Sequence, residues 1–454
     1  MPMLENYSAS VRAALKKAGI KAGDRVSIAK GKEFYEGLIM PRNNLGDKSA
    51  IVLKLDSGYN IGVSLQAGTK ITKSKSAEPE KIKEEVEFEM SKERMSGPKF
   101  DPNKPPVTLI ATGGTIASKV NYQTGGVSAL ENPEELLMNV PELQDIANIK
   151  IISPFKKMSE DMTYKDWQAI AKIVAEELNH GNSVVITHGT DTLHYTAAAL
   201  SFMLKNLSKP VVLVGAQRSV DRGSSDAFSN LVCAVRASMS DIGEVGICMH
   251  GSIDDDYCTF NRGTRVRKMH TSRRDTFHTL GNAPVAKVWP DGKIEKLGEC
   301  KARSEDKVKA DIDFEPKVAM LKAYPNSEPE ILNMLVKKGY KGFVIEGTGF
   351  GHVPTDTDKS WIKTIAKLIE DGIPVVITSQ TLFGRVNTNV YENLIKLFHD
   401  AGAIPGEDML PEVAYVKLSW ILGHTKKFDE VKKLMLTNMA GEITERSVVD
   451  ALQE

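Results

Sequence analysis

The stretch Val107-Thr-Leu-Ile-Ala-Thr-Gly-Gly-Thr-Ile-Ala-Ser118 opens with an apolar run and ends in glycines and hydroxyls. A short apolar run bounded by turn residues reads as a strand buried on both faces, as in a parallel sheet. Gly113-Gly114 then allows a tight turn and a close backbone approach. Working outward, the same pattern recurs in Ser183-Val-Val-Ile-Thr187, Pro210-Val-Val-Leu-Val214 and Val245-Gly-Ile-Cys-Met249. Between these strands, Trp167, Ile170, Ala171, Val174 and Leu178 recur at helical spacing over 166–178, with Gly181 as the stop, and 193–204 is an apolar helix. The alternation predicts an α/β fold with a mainly parallel sheet covered on both faces.

The rhythm resumes after residue 316. Strands are expected at 317–321, 342–346 and 374–378, and helices at 329–338, 359–371 and 390–401. The division falls at 315/316, between a larger domain over 106–315 and a smaller α/β domain over 316–454. Residues 1–72 differ. Ser8 caps a short helix through Val11, Leu15 and Lys17 that ends at Gly19, and strand-like pieces follow at 25–29, 35–40, 49–55 and 59–63, separated by turn formers. That spacing predicts an SH3-like β-barrel, a docking or spacing module without a catalytic cluster. Residues 73–105 are charged, then proline-rich at Pro98, Pro102, Pro105 and Pro106, and read as a linker.

The 454 residues carry 59 basic and 59 acidic side chains, a formal charge of zero, with 41% hydrophobic and 26% charged residues. This is an ordinary globular composition without the basic excess of a chain that grips nucleic acid alone. No leader and no apolar run near the ~20 residues of a membrane span is visible, so a cytoplasmic protein without membrane contact is expected. The four cysteines, Cys233, Cys248, Cys258 and Cys300, lack metal-site spacing and are expected as reduced thiols.

Functional loops of parallel sheets lie at the carboxyl ends of strands. Three segments fall there: Ala111–Ser118, Thr187-His-Gly-Thr-Asp-Thr192 and Gly347-Thr-Gly-Phe-Gly-His-Val-Pro354. No lysine follows the first pair of glycines as a phosphate loop requires, and the dinucleotide fingerprint is missing there. His188 invites a Ser-His-Asp reading with Ser118 or Ser159, but no GxSxG elbow supports it, and His188 and His194 do not have zinc-protease spacing. Thr115 and Thr190 carry weakly nucleophilic hydroxyls that need a base. Adjacent side chains point apart in extended chain, so Asp191 does not serve Thr190. A lysine, partly desolvated and paired with an aspartate, can serve, and on chemistry alone any of the many lysines qualifies.

Thr112-Gly-Gly-Thr-Ile-Ala117 together with His188-Gly-Thr-Asp-Thr192 resembles the paired signatures of the L-asparaginase family, over residues 106–425, Ser379-Gln380 and Asp408-Met409 included. The resemblance implies a doubly wound larger domain with a smaller C-terminal α/β domain. It implies Thr115 as the nucleophile forming an acyl-enzyme, and Tyr122 on a mobile lid whose flexible backbone is Gln123-Thr-Gly-Gly126. Thr190, Asp191 and Lys268 correspond to a second triad with Lys268 as base, Lys268 being placed by the segment Arg267-Lys-Met-His-Thr271. Asp191 and Ser159 are expected to hold the substrate's ammonium and carboxylate. Gly114 and Gly189 line the site, and the backbone N–H near Thr190 serves an oxyanion hole. Glu160 departs from the glutamine of many relatives. Thr112 is expected as scaffold. No metal and no cofactor is implied in this chain.

A barrel and linker ahead of an asparaginase-like region further resembles the ammonia-supplying subunits of archaeal tRNA-dependent amidotransferases. That resemblance implies glutamine or asparagine as ammonia donor. It also implies a partner, the E-type amidotransferase subunit, that binds Glu-tRNA(Gln) and activates it with ATP and Mg2+. A homodimeric core within a complex of two copies of each chain, with an ammonia tunnel, follows. The rival readings are a free L-asparaginase with a decorative first module, and a silent amino-acid-binding scaffold. Activity of the lone chain separates the first, and tolerance of Thr115→Val the second.

Overall fold

A computed structural model describes residues 7–21, 24–39, 48–54, 60–66, 68–74, 101–114, 118–120, 127–129, 140, 142–218 and 225–447. The chain begins with helix α1, Ala9–Lys17, capped where the Val11 amide donates to the Ser8 hydroxyl at 3.3 Å. Strands β1 (Arg25–Lys30), β2 (Glu33–Ile39), β3 (Ala50–Lys54), β4 (Asn60–Ser64) and β5 (Lys70–Lys73) follow. They form an antiparallel sheet in the order β4-β3-β2-β1-β5. Val11 and Leu15 of α1 close over Val26, Ile28, Ile39, Ile51 and Leu53 in a small separate core. The edge strands β4 and β5 do not pair with each other among the described residues, so the observed unit is a five-stranded sheet with a packed helix. Strand β5 was not expected, because Lys70-Ile-Thr-Lys73 offers a single apolar residue. The linker stretch 75–100 lies outside the described residues.

The principal sheet holds β6 (Pro106–Ala111), β7 (Asn148–Ile152), β8 (Ser183–Thr187), β9 (Val211–Val214), β10 (Val245–His250), β11 (Cys258–Arg262), β12 (Ala286–Val288) and β13 (Ile294–Lys296). Their order is β13-β12-β11-β10-β9-β8-β6-β7. From β7 to β10 all pairings are parallel, and β11 to β13 extend the sheet antiparallel. Alternate residues feed two cores, as a period of two requires. Val184 and Ile186 meet helices α2 (Tyr164–Asn179) and α3 (Leu193–Met203), while Val185 meets α4 (Ala227–Ser238) on the other face. Three of the cysteines, Cys233, Cys248 and Cys258, are buried in that second core as free thiols. Helix α2 starts with a capping box between Thr163 and Asp166.

The last third forms a parallel sheet of β14 (Val318–Lys322), β15 (Gly342–Gly347), β16 (Val375–Ser379) and β17 (Ile404–Pro405), in that order. Helices α5 (Glu330–Lys337), α6 (Trp361–Glu370), α7 (Pro411–His424) and α8 (Phe428–Met435) surround it. The helix expected over 390–401 is a single turn, Glu392–Ile395, followed by a π-turn over Lys396–Asp400.

Helix α7 joins the two sheets. It packs on α3 and on β15, and its apolar residues belong to the core that also holds Ile186 and Val344. Being buried nearly all round, α7 must satisfy its polar side chains internally. Lys417 is fully buried and donates to Glu442 at 2.6 Å and to the carbonyls of Met435 and Thr437 at 2.9 and 2.6 Å. All three ammonium protons are thus accounted for. Removing one partner of such a pair costs about 3–5 kcal/mol, because the other charge is stranded. Lys417→Met is therefore expected to lower unfolding stability by about that amount, measured as a shift in the denaturant midpoint at unchanged slope.

Candidate active site

In a doubly wound sheet, ligands sit where neighbouring crossovers diverge to opposite sides. Here β6 is flanked by β7 on one side and β8 on the other, so that point lies at the carboxyl ends of β6 and β8. The two signature loops leave from those ends. Gly113 and Gly114 have φ of +117° and +81°. A side chain at Gly114 would overlap the Gly189 backbone, and one at Gly113 the Lys157 carbonyl. The glycines are there because two main chains pass in direct contact. A Cβ on Gly189 would in turn lie 2.8 Å from that of Ser159, which brings the turn Ser159–Asp161 into the same place.

Lys268 reaches this place from a different part of the chain. It ends the ribbon strand Val266–Lys268, which pairs with Phe277–Thr279. Its ammonium donates to the Thr190 hydroxyl at 2.9 Å and to Asp191 Oδ1 at 2.6 Å. The Lys268 side chain is 11% exposed and that of Asp191 67%. A largely buried ammonium thus faces a buried hydroxyl, and the carboxylate keeps one side open to solvent. Chemically, a carboxylate-paired amine against a hydroxyl is able to exchange a proton with it, and an open carboxylate is able to bind an ammonium group.

Ser159 is buried beside Gly189, its carbonyl accepting from the Thr192 hydroxyl at 2.6 Å. Glu160 is exposed in the same turn. Thr112 spends its hydroxyl on the Thr187 carbonyl at 2.8 Å. Thr115, Tyr122 and the Ser118 side chain lie outside the described residues. The third loop closes on itself through Thr348 and His352, and its contacts run to Ser379 and Asn387 of the smaller domain.

His188 serves the scaffold. Its Nδ1 lies 2.7 Å from the Gly189 carbonyl and its Nε2 2.9 Å from the Thr196 hydroxyl, which also accepts from Trp167 at 2.9 Å. With the Trp167 N–H occupying the Thr196 oxygen, the hydroxyl proton goes to Nε2, so the ring proton sits on Nδ1. Both nitrogens are committed, and no triad forms with Ser159. Burial pulls the imidazole down to about 4, against the bond to Gly189. The unfolded chain takes up this proton as pH falls through about 6.5, the folded chain not until about 4. Stability from this group is therefore complete above about 6.5 and falls by about 3 kcal/mol by pH 4. Calorimetric unfolding midpoints are expected to drop across that window; a flat profile would contradict it.

Two supporting carboxylates have no clear mark in the sequence. Asp226 is buried and accepts from the Gln217 amide at 2.9 Å, the Arg218 amide at 3.0 Å and Asn230 at 2.9 Å, fixing the loop after β9. Asp166 takes both short bonds of Lys157, each 2.8 Å, and so fixes the segment that Gly113 touches through an isolated bridge. The only local trace is the Thr163-x-x-Asp166 pattern, which signals a helix start and nothing further.

Residues 106–299 match the family profile described as Asparaginase, N-terminal, and 317–435 the Glutaminase/Asparaginase C-terminal domain. Among solved structures, the thermostable L-asparaginase from Thermococcus kodakarensis superposes with a TM-score of 0.68 at 30% identity, over 75% of this chain and 99% of its own. L-asparaginase I from Vibrio cholerae does so at 0.66 and 30%, over 75% and 99%. The fold and its paired strand-end loops are thus of the asparaginase class.

The remaining quarter of the chain refines this. Residues 20–73 match a profile described as GatD N-terminal domain. The D-type chain of glutamyl-tRNA(Gln) amidotransferase (GatD) from Pyrococcus abyssi is 52% identical over 95% of this chain and 96% of its own, and that of Methanopyrus kandleri 46% identical over 98% and 96%. The chain belongs to the GatD family of glutamyl-tRNA(Gln) amidotransferase subunits.

Proposed function

We propose that Thr115 attacks the side-chain carboxamide of glutamine or asparagine, releasing ammonia and leaving an acyl-enzyme that water resolves. The enzyme is the asparaginase-like amidohydrolase component of a tRNA-dependent amidotransferase, a reading favoured over a free asparaginase because the relatives match along nearly the whole chain. In this reading Lys268, with Thr190 as relay, takes the proton that attack liberates and the proton passes to the leaving nitrogen, which departs as ammonia. Asp191 orients the lysine and binds the substrate ammonium, while Ser159 holds the carboxylate. Gly114 and Gly189, packed backbone against backbone, bring the two loops together around the substrate, Tyr122 closes over it, and Glu160 lies at the rim. The observation that carries the assignment is the Thr190–Lys268–Asp191 cluster at the strand ends of β6 and β8.

Ammonia then passes to a partner chain. In this reading the partner is the E-type amidotransferase subunit, which activates Glu-tRNA(Gln) with ATP and Mg2+ in a cytoplasmic complex of two copies of each. Residues 1–72 serve docking, 73–105 span as a linker, 106–315 hold the catalytic groups and 316–454 complete the domain pair. Among the described residues no helix is long and apolar enough to cross a membrane. The test measures ammonia release from glutamine and asparagine by the chain alone, with its partner, and with Glu-tRNA(Gln). Stimulation by partner and tRNA is expected. Full hydrolysis by the lone chain, indifferent to both, would overturn the coupling to tRNA.

A further inference from the structure

Behind the Thr190–Lys268–Asp191 cluster lies a second polar group. Glu412, the second residue of α7, is 2% exposed, and its Oε1 has no hydrogen bond. That oxygen lies 3.6 Å from Arg267 Nε and 3.9 Å from His194 Nε2, and the buried Nδ1 of His194 has no partner either. Arg267 and Lys268 are consecutive in an extended strand, so their side chains leave on opposite faces. Lys268 goes to Thr190 and Asp191, and Arg267 goes to the smaller domain.

Resting on the role of Lys268 above, we propose that Glu412 is a positioning residue that acts through Arg267 to hold the Lys268 ribbon in place over Thr190. The ribbon is short: three residue pairs, with one further backbone bond at each end, from Leu280 to Arg265 and from Met269 to Thr276. Arg265 ties its start to Asp408 of the smaller domain, and Arg267 adds a tie directly beside Lys268. An acid in this place is otherwise costly, since a buried carboxylate without good hydrogen bonds is less stable than an apolar side chain of the same size. Burial pushes the Glu412 carboxyl up, while Arg267 and the start of the fourteen-residue helix α7 favour its negative charge. The groups facing it are Arg267 and Glu346, with His194, Tyr195, His188, Tyr415, Asp191 and Lys268 around them. Burial holds His194 down to about 3 and Tyr195 up to about 12, so both are neutral and Arg267 is the cation in contact with Glu412. The arrangement makes placement of the base depend on the smaller domain.

The test uses the full chain in complex with its partner, with glutamine as substrate. Glu412→Gln keeps shape and removes charge. A displacement of about 1 Å costs on the order of 10²-fold in rate, so kcat is expected to fall by that order with KM within about twofold. Arg267→Met should reproduce the loss, and the double variant should be no worse than either single one. Arg267 is one third exposed, so its variant serves even if Glu412→Gln fails to fold. Glue between domains alone would lower stability and leave kcat intact; a preserved kcat, or losses in kcat that add in the double variant, overturns the proposal. Lys268→Met separates the levels. If it remains active, the base assignment falls. If it is dead while Glu412→Gln behaves as wild type, only the positioning role falls.

Discussion

Replacing Lys268 with methionine is expected to lower ammonia release by about 10³–10⁴-fold, the upper range of a positioned general base. Methionine keeps the aliphatic stem that packs in the cleft and loses the atom that accepts a proton. The ammonium now lies 2.9 Å from Thr190 and 2.6 Å from Asp191. Without it, Asp191 remains largely solvated and Thr190 finds water, so stability should change by less than about 1 kcal/mol. Steady-state kinetics and a melting curve on the same preparation check both halves. A kcat within tenfold of wild type would remove Lys268 from the chemistry.

Thr115→Val should be at least as severe, on the order of 10⁴–10⁶-fold, because it deletes the attacking oxygen while preserving shape. Glutamine binding should survive, since the proposed binding groups are untouched. Rapid quench of the wild-type enzyme followed by mass analysis should show chain mass increased by a glutamyl group, and the valine variant should show none. Combined with Lys268→Met, the losses should not multiply, because nucleophile and base act as one unit. An acyl adduct on the valine variant would move the nucleophile elsewhere.

Much of this fold can be read from residue spacing. Ser183-Val-Val-Ile-Thr187 is apolar because both faces of β8 are covered, and α2 shows its apolar stripe because its other face meets water. Helix α7 escaped for the opposite reason. Buried nearly all round, it has no stripe, and Glu412 and Lys417 interrupt what apolar run it has. Strands β11 to β13 are short and antiparallel, outside the rhythm that marks the others. At the site, the two glycine-threonine loops announce themselves locally, because tight turns and exposed hydroxyls have a sequence signature. Lys268 does not. A lysine becomes a base through neighbours distant in sequence, and only resemblance to a family picked it out. His194 and Glu412 meet across two domains, and nothing local marks either.

The Lys417–Glu442 pair has a consequence for biosynthesis. During translation, Lys417 emerges before its counter-charge, so the central helix is held with an uncompensated ammonium until residue 442 clears the ribosome. A nascent chain halted short of that point should remain loosely packed around α7 and be open to proteolysis. The hydrolase would then become competent only after residue 442 has emerged, so shorter nascent chains would not set ammonia free.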